Sequence, residues 1–114
     1  MNNCLFCRVV TKEISSKLVY EDDRALAFQD IHPQAPVHLL LIPKKHFDTM
    51  LDIQPADLPL LTHLMELIPK LAKEHGLSKS GFRTVINTGS NGGQTVYHLH
   101  LHLIGGRQMT WPPG

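Results

Sequence analysis

The chain reads as an α+β domain, with five short strands in an antiparallel sheet, one long helix and one short helix. Three observations predict it. Several apolar runs of strand length are bounded by Pro, Gly, Asp and Asn. One long stretch, residues 58–72, repeats its apolar residues with helical spacing. Most of the predicted strands follow one another at hairpin distance, too close for parallel crossovers. At 114 residues, 42% hydrophobic and 18% charged, the chain fits a single domain over residues 1–114 that needs no disulfide.

The elements follow in order. Residues 4–12 carry Cys4-x-x-Cys7 and suit a short helix or turn. Residues 18–20 and 25–28 are short strands, and the acidic connection 21–24 is a hairpin turn rather than a metal cluster. Asp30-Ile-His-Pro33-Gln-Ala-Pro36 is a loop, because two prolines interrupt it. Residues 37–42 form an apolar strand broken only by His38, and Pro43 ends it. A short helical turn is expected over 46–51, and the long helix starts near Pro55. Leu58, Leu61, Leu64, Met65, Ile68, Leu71 and Ala72 mark its buried face, with Met65 as core filling. Pro69 should kink the helix or remove one hydrogen bond, and Gly76 should stop it. His63 and His75 read as surface residues, and residues 82–86 form the next strand.

The chemistry concentrates in Tyr97-His98-Leu99-His100-Leu101-His102-Leu103-Ile104. Strict alternation predicts a strand with the leucines on a core face. The three histidines then stand in a row, roughly 6–7 Å apart at each step. Histidine packs poorly on a half-exposed strand, so three of them ask for a reason. A metal site and nucleophilic or acid–base work by neutral imidazole both answer it. The preceding segment, residues 87–96, is uncharged and holds Gly89, Gly92 and Gly93. Such a loop presents backbone N–H groups to an anion. It carries no Gly-Lys-Ser/Thr signature. An anion loop beside an imidazole suits transfer of a phosphoryl or nucleotidyl group.

His98-Leu-His100-Leu-His102-Leu103 resembles the His-φ-His-φ-His-φ motif of the histidine triad (HIT) superfamily. Gly92-Gly-Gln-Thr-Val-Tyr97, Gly105-Gly-Arg-Gln-Met109 and the tail Trp111-Pro-Pro-Gly114 are similar to its nucleotide-binding (Hint) branch. Phe28-Gln-Asp30-Ile31, Pro33-Gln-Ala-Pro36 and Ile42-Pro-Lys-Lys-His46 extend the likeness over nearly the whole chain.

The resemblance implies the HIT fold, with a ten-stranded sheet running across a homodimer. It implies a purine nucleoside phosphoramidase in which His100 attacks the α-phosphorus to give a nucleotidyl-histidine that water hydrolyses. His102 then donates to a phosphate oxygen or near the leaving group, and His98 and His38 support the catalytic imidazole. Asn87, Gly93, Gln94 and Thr95 supply phosphate donors; Thr95 stands where the family often has Ser. Asp30 takes the ribose hydroxyls, and Leu5, Phe6, Phe28 and Ile31 surround the base. Trp111 is implied to lie near the partner chain's site. Cys4, Cys7, His46 and His98 complete a zinc site in relatives that carry the Cys pair. In members without the cysteines the residue matching His46 belongs to a proton relay through His38. The chemistry itself needs no cofactor, and zinc would be structural.

Other readings stay beside this one: a nucleotide-binding regulatory module with incidental turnover, and a dinucleoside polyphosphate hydrolase or nucleotidyl transferase of the same superfamily. A zinc enzyme using the histidine row itself is disfavoured, because the outer pair would stand too far apart to share an ion. A net charge of +1 gives no basic field for nucleic acid or anionic membrane. No run is long enough to span a bilayer. The N-terminus lacks a basic region followed by an apolar one, so a cytoplasmic location is expected.

Overall fold

The structure, a computed structural model, describes residues 3–114; Met1 and Asn2, part of the N-terminal stretch read for a leader, lie outside them. The short helix α1 covers Leu5–Val10. The strands are β1 (Leu18–Glu21), β2 (Ala25–Gln29), β3 (Val37–Pro43), β4 (Phe82–Val85) and β5 (Leu101–Gly105), with the long helix α2 (Leu58–Glu74) between β3 and β4. The strands form one antiparallel sheet in the order β1-β2-β3-β5-β4. The expected α+β architecture is the one observed. No helix among the described residues is long and apolar enough to cross a membrane.

Alternation along the strands divides the core in two. Ala25, Ala27, Leu39, Leu41, Leu101 and Leu103 pack under α2 against Leu64, Leu67, Ile68 and Leu71. Leu26, Phe28, Leu40 and Ile42 point the other way and pack against Phe6 and Val9 of α1. Both faces are covered, which is why β3 reads as a nearly continuous apolar run. His38 and His102 share the α1 side with Leu40, since Leu40 pairs with His102 and His38 with Ile104.

Two expectations need correction. The triad strand is shorter than the alternation suggests: the ladder begins at Leu101, and residues 98–100 run on outside it. The register pairs Leu41 with Leu101, so Pro43 would oppose Leu99, and proline has no N–H to extend the ladder. Met65, expected in the core, is 60% exposed, and Leu58 is 56% exposed. The apolar stripe of α2 is wider than the sheet can cover. These two residues border an apolar groove with Met50, Ile53, Leu61 and Ile86. Pro69 removes one hydrogen bond of α2, as expected, and the helix stays continuous around it; the gap falls on the exposed side.

The two outlying histidines have structural partners. His75 ends α2 and donates from Nδ1 to the Leu71 carbonyl at 2.9 Å. His63 contacts Asp22 in the β1–β2 turn through Nε2 at 2.5 Å. Asp22 also accepts from the Tyr20 hydroxyl at 2.6 Å and from the backbone N–H groups of Arg24 and Ala25 at 2.8 Å. Burial acts to raise the Asp22 pKa, but these hydrogen bonds together outweigh it and hold the carboxyl well below the usual range. A carboxylate depressed in the folded state stabilises the fold above its unfolded pKa, and that stability is lost as pH falls below about 4. Asp22→Asn is therefore expected to lower the melting temperature at pH 7. The gap to wild type should narrow toward pH 3 in a series of thermal melts.

Candidate active site

The site forms where β3 and β5 meet α1. A cleft of ≈ 290 Å³ is lined by Leu5, Phe6, Phe28, Asp30, Ile31, Thr95, His100 and His102, eight of the residues singled out in the sequence. Val9, Ile14, His32 and Val96 also line it and carry no motif that would have marked them. The cleft walls are mainly apolar, with a few polar side chains among them, including Asp30, Thr95, His100 and His102, as in small-ligand sites generally. Phe6 stands edge-on to Phe28 (5.4 Å between centroids) and to His100 (5.1 Å).

The histidines are not a solvated row. His98 is 0% exposed and His100 5%, because α1 lies over them. Hydrogen-bond partners fix which nitrogen of each ring carries the proton. The His100 Nδ1–H donates to the His98 carbonyl at 2.7 Å. Its Nε2 is left as a lone pair on a ring that lines the cleft. The Gln34 backbone N–H donates to His38 Nδ1 at 3.0 Å, which places the His38 proton on Nε2. That Nε2–H donates to His102 Nδ1 at 2.8 Å, and Asp30 Oδ2 lies 3.4 Å from the same nitrogen. His102 therefore carries its proton on Nε2. The pair reads as an acceptor at His100 beside a donor at His102.

Burial lowers the pKa of His38, His98 and His100. His102 is pushed down to about 4, by burial first and then by the neighbouring His100 and His38. Both cleft imidazoles are thus neutral at physiological pH, the form in which one can attack.

Asp30 is anchored by the His32 N–H, which donates to Oδ1 at 2.8 Å. Asn87, Gly93 and Gln94 do not line the cleft; from the 87–96 loop only Thr95 and Val96 do. Asn87 donates to the Gly92 carbonyl at 2.7 Å. Gln94 was expected among the phosphate donors, but both of its amide hydrogens are occupied. They go to the carbonyls of Asp48 (2.7 Å) and Val96 (3.1 Å), while its Oε1 accepts from the Gly89 N–H. In this structure Gln94 pins the loop. Trp111 is 80% exposed and away from the cleft, near Arg83.

Gly92 has a steric reason that the sequence did not reveal. A Cβ there would meet Thr88 backbone O at 2.3 Å and N at 2.8 Å, whereas a Cβ at Gly89 meets nothing. Gly92→Ala should therefore distort the loop and cost about 1–3 kcal/mol in denaturant unfolding. Gly89→Ala, with only its positive φ to accommodate, should cost about 1 kcal/mol. Equal losses would contradict the steric reading.

The His98 ring points away from the cleft, which corrects its place among the catalytic side chains. Its Nε2–H donates to the Pro43 carbonyl at 2.8 Å, a carbonyl at the end of the β3–β5 ladder. Its Nδ1 turns toward Cys4 Sγ (3.3 Å), Cys7 Sγ (3.5 Å) and His46 Nδ1 (3.1 Å). Cys7 Sγ lies 3.3 Å from His46 Nδ1. His46 Nε2 is committed to Asp48 Oδ1 at 2.6 Å. Each imidazole thus has Nε2–H bound to an oxygen and offers Nδ1 as a lone pair. Two lone pairs facing each other at 3.1 Å need a cation or an extra proton between them. A tetrahedral zinc ion spaces neighbouring N and S ligands roughly 3.3–3.8 Å apart, close to the separations here. The four ligand atoms all lie within 4.8 Å of one another. The donor set fits zinc.

A family profile described as "Scavenger mRNA decapping enzyme C-term binding" matches residues 3–111. The crystal structure of a HIT family hydrolase from Legionella pneumophila superposes with a TM-score of 0.96 at 56% identity, covering 98% of this chain and 100% of that one. The chain belongs to the histidine triad superfamily, in its Hint-like branch. A relative from Brassica juncea, the "14 kDa zinc-binding protein", is 50% identical over 112 residues, covering 96% of this chain and 98% of that one. "Adenylylsulfatase HINT1" from Arabidopsis thaliana is 50% identical over 113 residues, covering 96% of this chain and 76% of that one. The HIT motif thus falls on the residues whose tautomers the structure resolves into an acceptor and a donor.

Proposed function

We propose that this HIT protein is a nucleotide hydrolase that cleaves the P–N bond of purine nucleoside phosphoramidates, such as AMP-NH2 and lysyl-AMP, and releases AMP. The observation that carries the reading is the pairing of a His100 Nε2 lone pair with a His102 Nε2–H donor on neighbouring rings that line a largely apolar cleft. The base lies among Leu5, Phe6, Phe28 and Ile31, and Asp30 accepts from the ribose hydroxyls. His100 Nε2 attacks the α-phosphorus. The P–N bond breaks with its electron pair on nitrogen, and the amine takes a proton from solvent at the open mouth. His102 Nε2–H donates to a phosphate oxygen as charge develops there. Thr95 borders the leaving group and anion, while Asn87, Gly93 and Gln94 hold the 87–96 loop in shape through hydrogen bonds within it and to its neighbours. Water then attacks phosphorus, the P–Nε2 bond breaks with its electron pair returning to His100, and the proton of the water passes to solvent.

Cys4, Cys7, His46 and His98 hold a zinc ion in a structural role, a reading supported by the facing lone pairs. When bound, the ion ties chain segments together and supplies no step of the reaction. The chain acts as a homodimer: β4 is an open sheet edge, and the groove beside Leu58 and Met65 offers apolar surface to a second copy, bringing Trp111 near the partner's site.

A denaturing quench during turnover tests the proposal. An AMP adduct should appear on His100, and the absence of any adduct with undiminished AMP release would reject the covalent route. A substrate panel separates the neighbouring readings. Cleavage of the amidates favours the phosphoramidase, and preferred cleavage of diadenosine polyphosphates favours the dinucleoside hydrolase. The Arabidopsis relative's name adds adenylyl sulfate to that panel. A regulatory module would bind AMP and turn over none of them at a useful rate.

A further inference from the structure

We propose that the Cys4–Cys7–His46–His98 cluster is a positioning device for the nucleophile as well as a structural tie, and that its cation takes the place of the missing β-ladder under His100. The inference extends the zinc reading to a function of that site. His100 lies on residues 98–100, which continue beyond the first ladder residue, Leu101, because Pro43 ends the pairing. Something else must hold this segment in place. Two direct hydrogen bonds do so: Leu99 N–H to the Phe47 carbonyl at 2.8 Å and His98 Nε2–H to the Pro43 carbonyl at 2.8 Å. Beside these, Phe6 packs on the His98 and His100 rings, and among the described residues the further polar attachment is the cluster. Its two histidines, His46 and His98, each immediately precede a partner in the Leu99–Phe47 bond.

A cation on the four ligand atoms therefore clamps the 46–48 segment to the 98–100 segment. The clamp acts directly on the nucleophile, because the carbonyl that orients His100 Nδ1–H belongs to His98 itself. It also reaches the loop over the cleft. Asp48 accepts from His46 Nε2 with its side chain and from Gln94 Nε2 with its backbone carbonyl. One ion thus sets the aim of His100 and, through Asp48 and Gln94, the height of the 87–96 loop. Without it the facing lone pairs of His46 and His98 are relieved by an extra proton or by separation. An extra proton bridges only those two atoms and leaves the sulfurs of Cys4 and Cys7 outside the clamp. His98 and His46 are positioning residues in this scheme; neither ring lines the cleft.

The test compares zinc-loaded and metal-depleted protein, with zinc content measured by elemental analysis, and reads two signals. The first is the His100 Nδ1–H resonance in NMR, which needs no substrate. The second is the separation of kcat from KM on AMP-NH2. Metal depletion and the variant His46→Ala should both shift or broaden the resonance and lower kcat about tenfold or more with a smaller change in KM. Restored zinc should return both signals in wild type and neither in His46→Ala. If depletion unfolds the chain, exchange of zinc for the larger Cd2+ keeps it folded and should move the same resonance. An unchanged resonance in verified metal-free or cadmium-loaded protein would overturn the coupling, as would failure to retain zinc. A resonance that follows zinc in a protein that cleaves no amidate would leave the coupling standing and reject the phosphoramidase reading, so the two fail separately.

Discussion

His100→Ala is expected to lower kcat on AMP-NH2 by roughly ten thousandfold or more, as loss of a covalent nucleophile does in other hydrolases. AMP affinity should stay within a few-fold of wild type. The two effects separate because the apolar wall and Asp30 are untouched, while the Nε2 lone pair on a ring that lines the cleft is removed. The loss in stability should be modest, about 1–3 kcal/mol, from a small cavity against Phe6 and an unfilled acceptor at the His98 carbonyl. Calorimetric AMP binding, thermal melts and single-turnover kinetics check the three parts. A variant that binds AMP and still hydrolyses the amidate at the wild-type rate would remove His100 from the reaction.

The second large effect concerns the metal. Purified protein should carry about one zinc ion per chain, and Cys4→Ser or exhaustive chelation should lower the melting temperature by ten degrees or more. That size follows from two magnitudes: structural zinc sites supply binding free energy on the order of 10 kcal/mol, and about 1 kcal/mol moves the midpoint of a domain this size by roughly 4–8 °C. Only part of the binding energy is expected in the melt, since the two apolar cores on either side of the sheet contain none of the four ligands except Cys4 at the margin of one and contribute burial of their own. Cys4 has a further local role, because its sulfur accepts from the Cys7 N–H at the start of α1, and α1 is the lid over His98 and His100. Melts with elemental analysis decide it. A metal-free preparation with an unchanged midpoint would show that the cysteines serve some other end.

Much of this was legible in the order of residues. The period of two in β5, the short apolar runs of β2 and β3, the period near 3.6 in α2 and the short connections pointed to the antiparallel sheet and its helix. The imidazole row, the glycine loop and the Cys pair with His46 marked the chemistry. The amphipathic period of α2 misplaced Met65, because periodicity reports which side is apolar and not how wide a surface the sheet can cover. Gln94 was misassigned because an amide in a polar loop looks the same whether it serves a ligand or three backbone groups. Asp48 was missed altogether: nothing in His46-Phe-Asp48 says that the carboxylate fixes the His46 tautomer.

Composition and spacing by themselves determined the fold class and marked the histidine row, the glycine loop and the Cys pair, because periodicity and residue chemistry are properties of the chain; the cleft's apolar wall was implied only by the family resemblance. The division of labour among the three histidines was decided only in three dimensions. Pro43 opposite Leu99 stops the ladder, and that break lets the His98 ring turn to the sulfurs while its carbonyl holds His100. Gln34 and His38, far from the triad in sequence, fix the proton on His102. A proton's place on an imidazole depends on what the other nitrogen touches, and that contact exists only after folding.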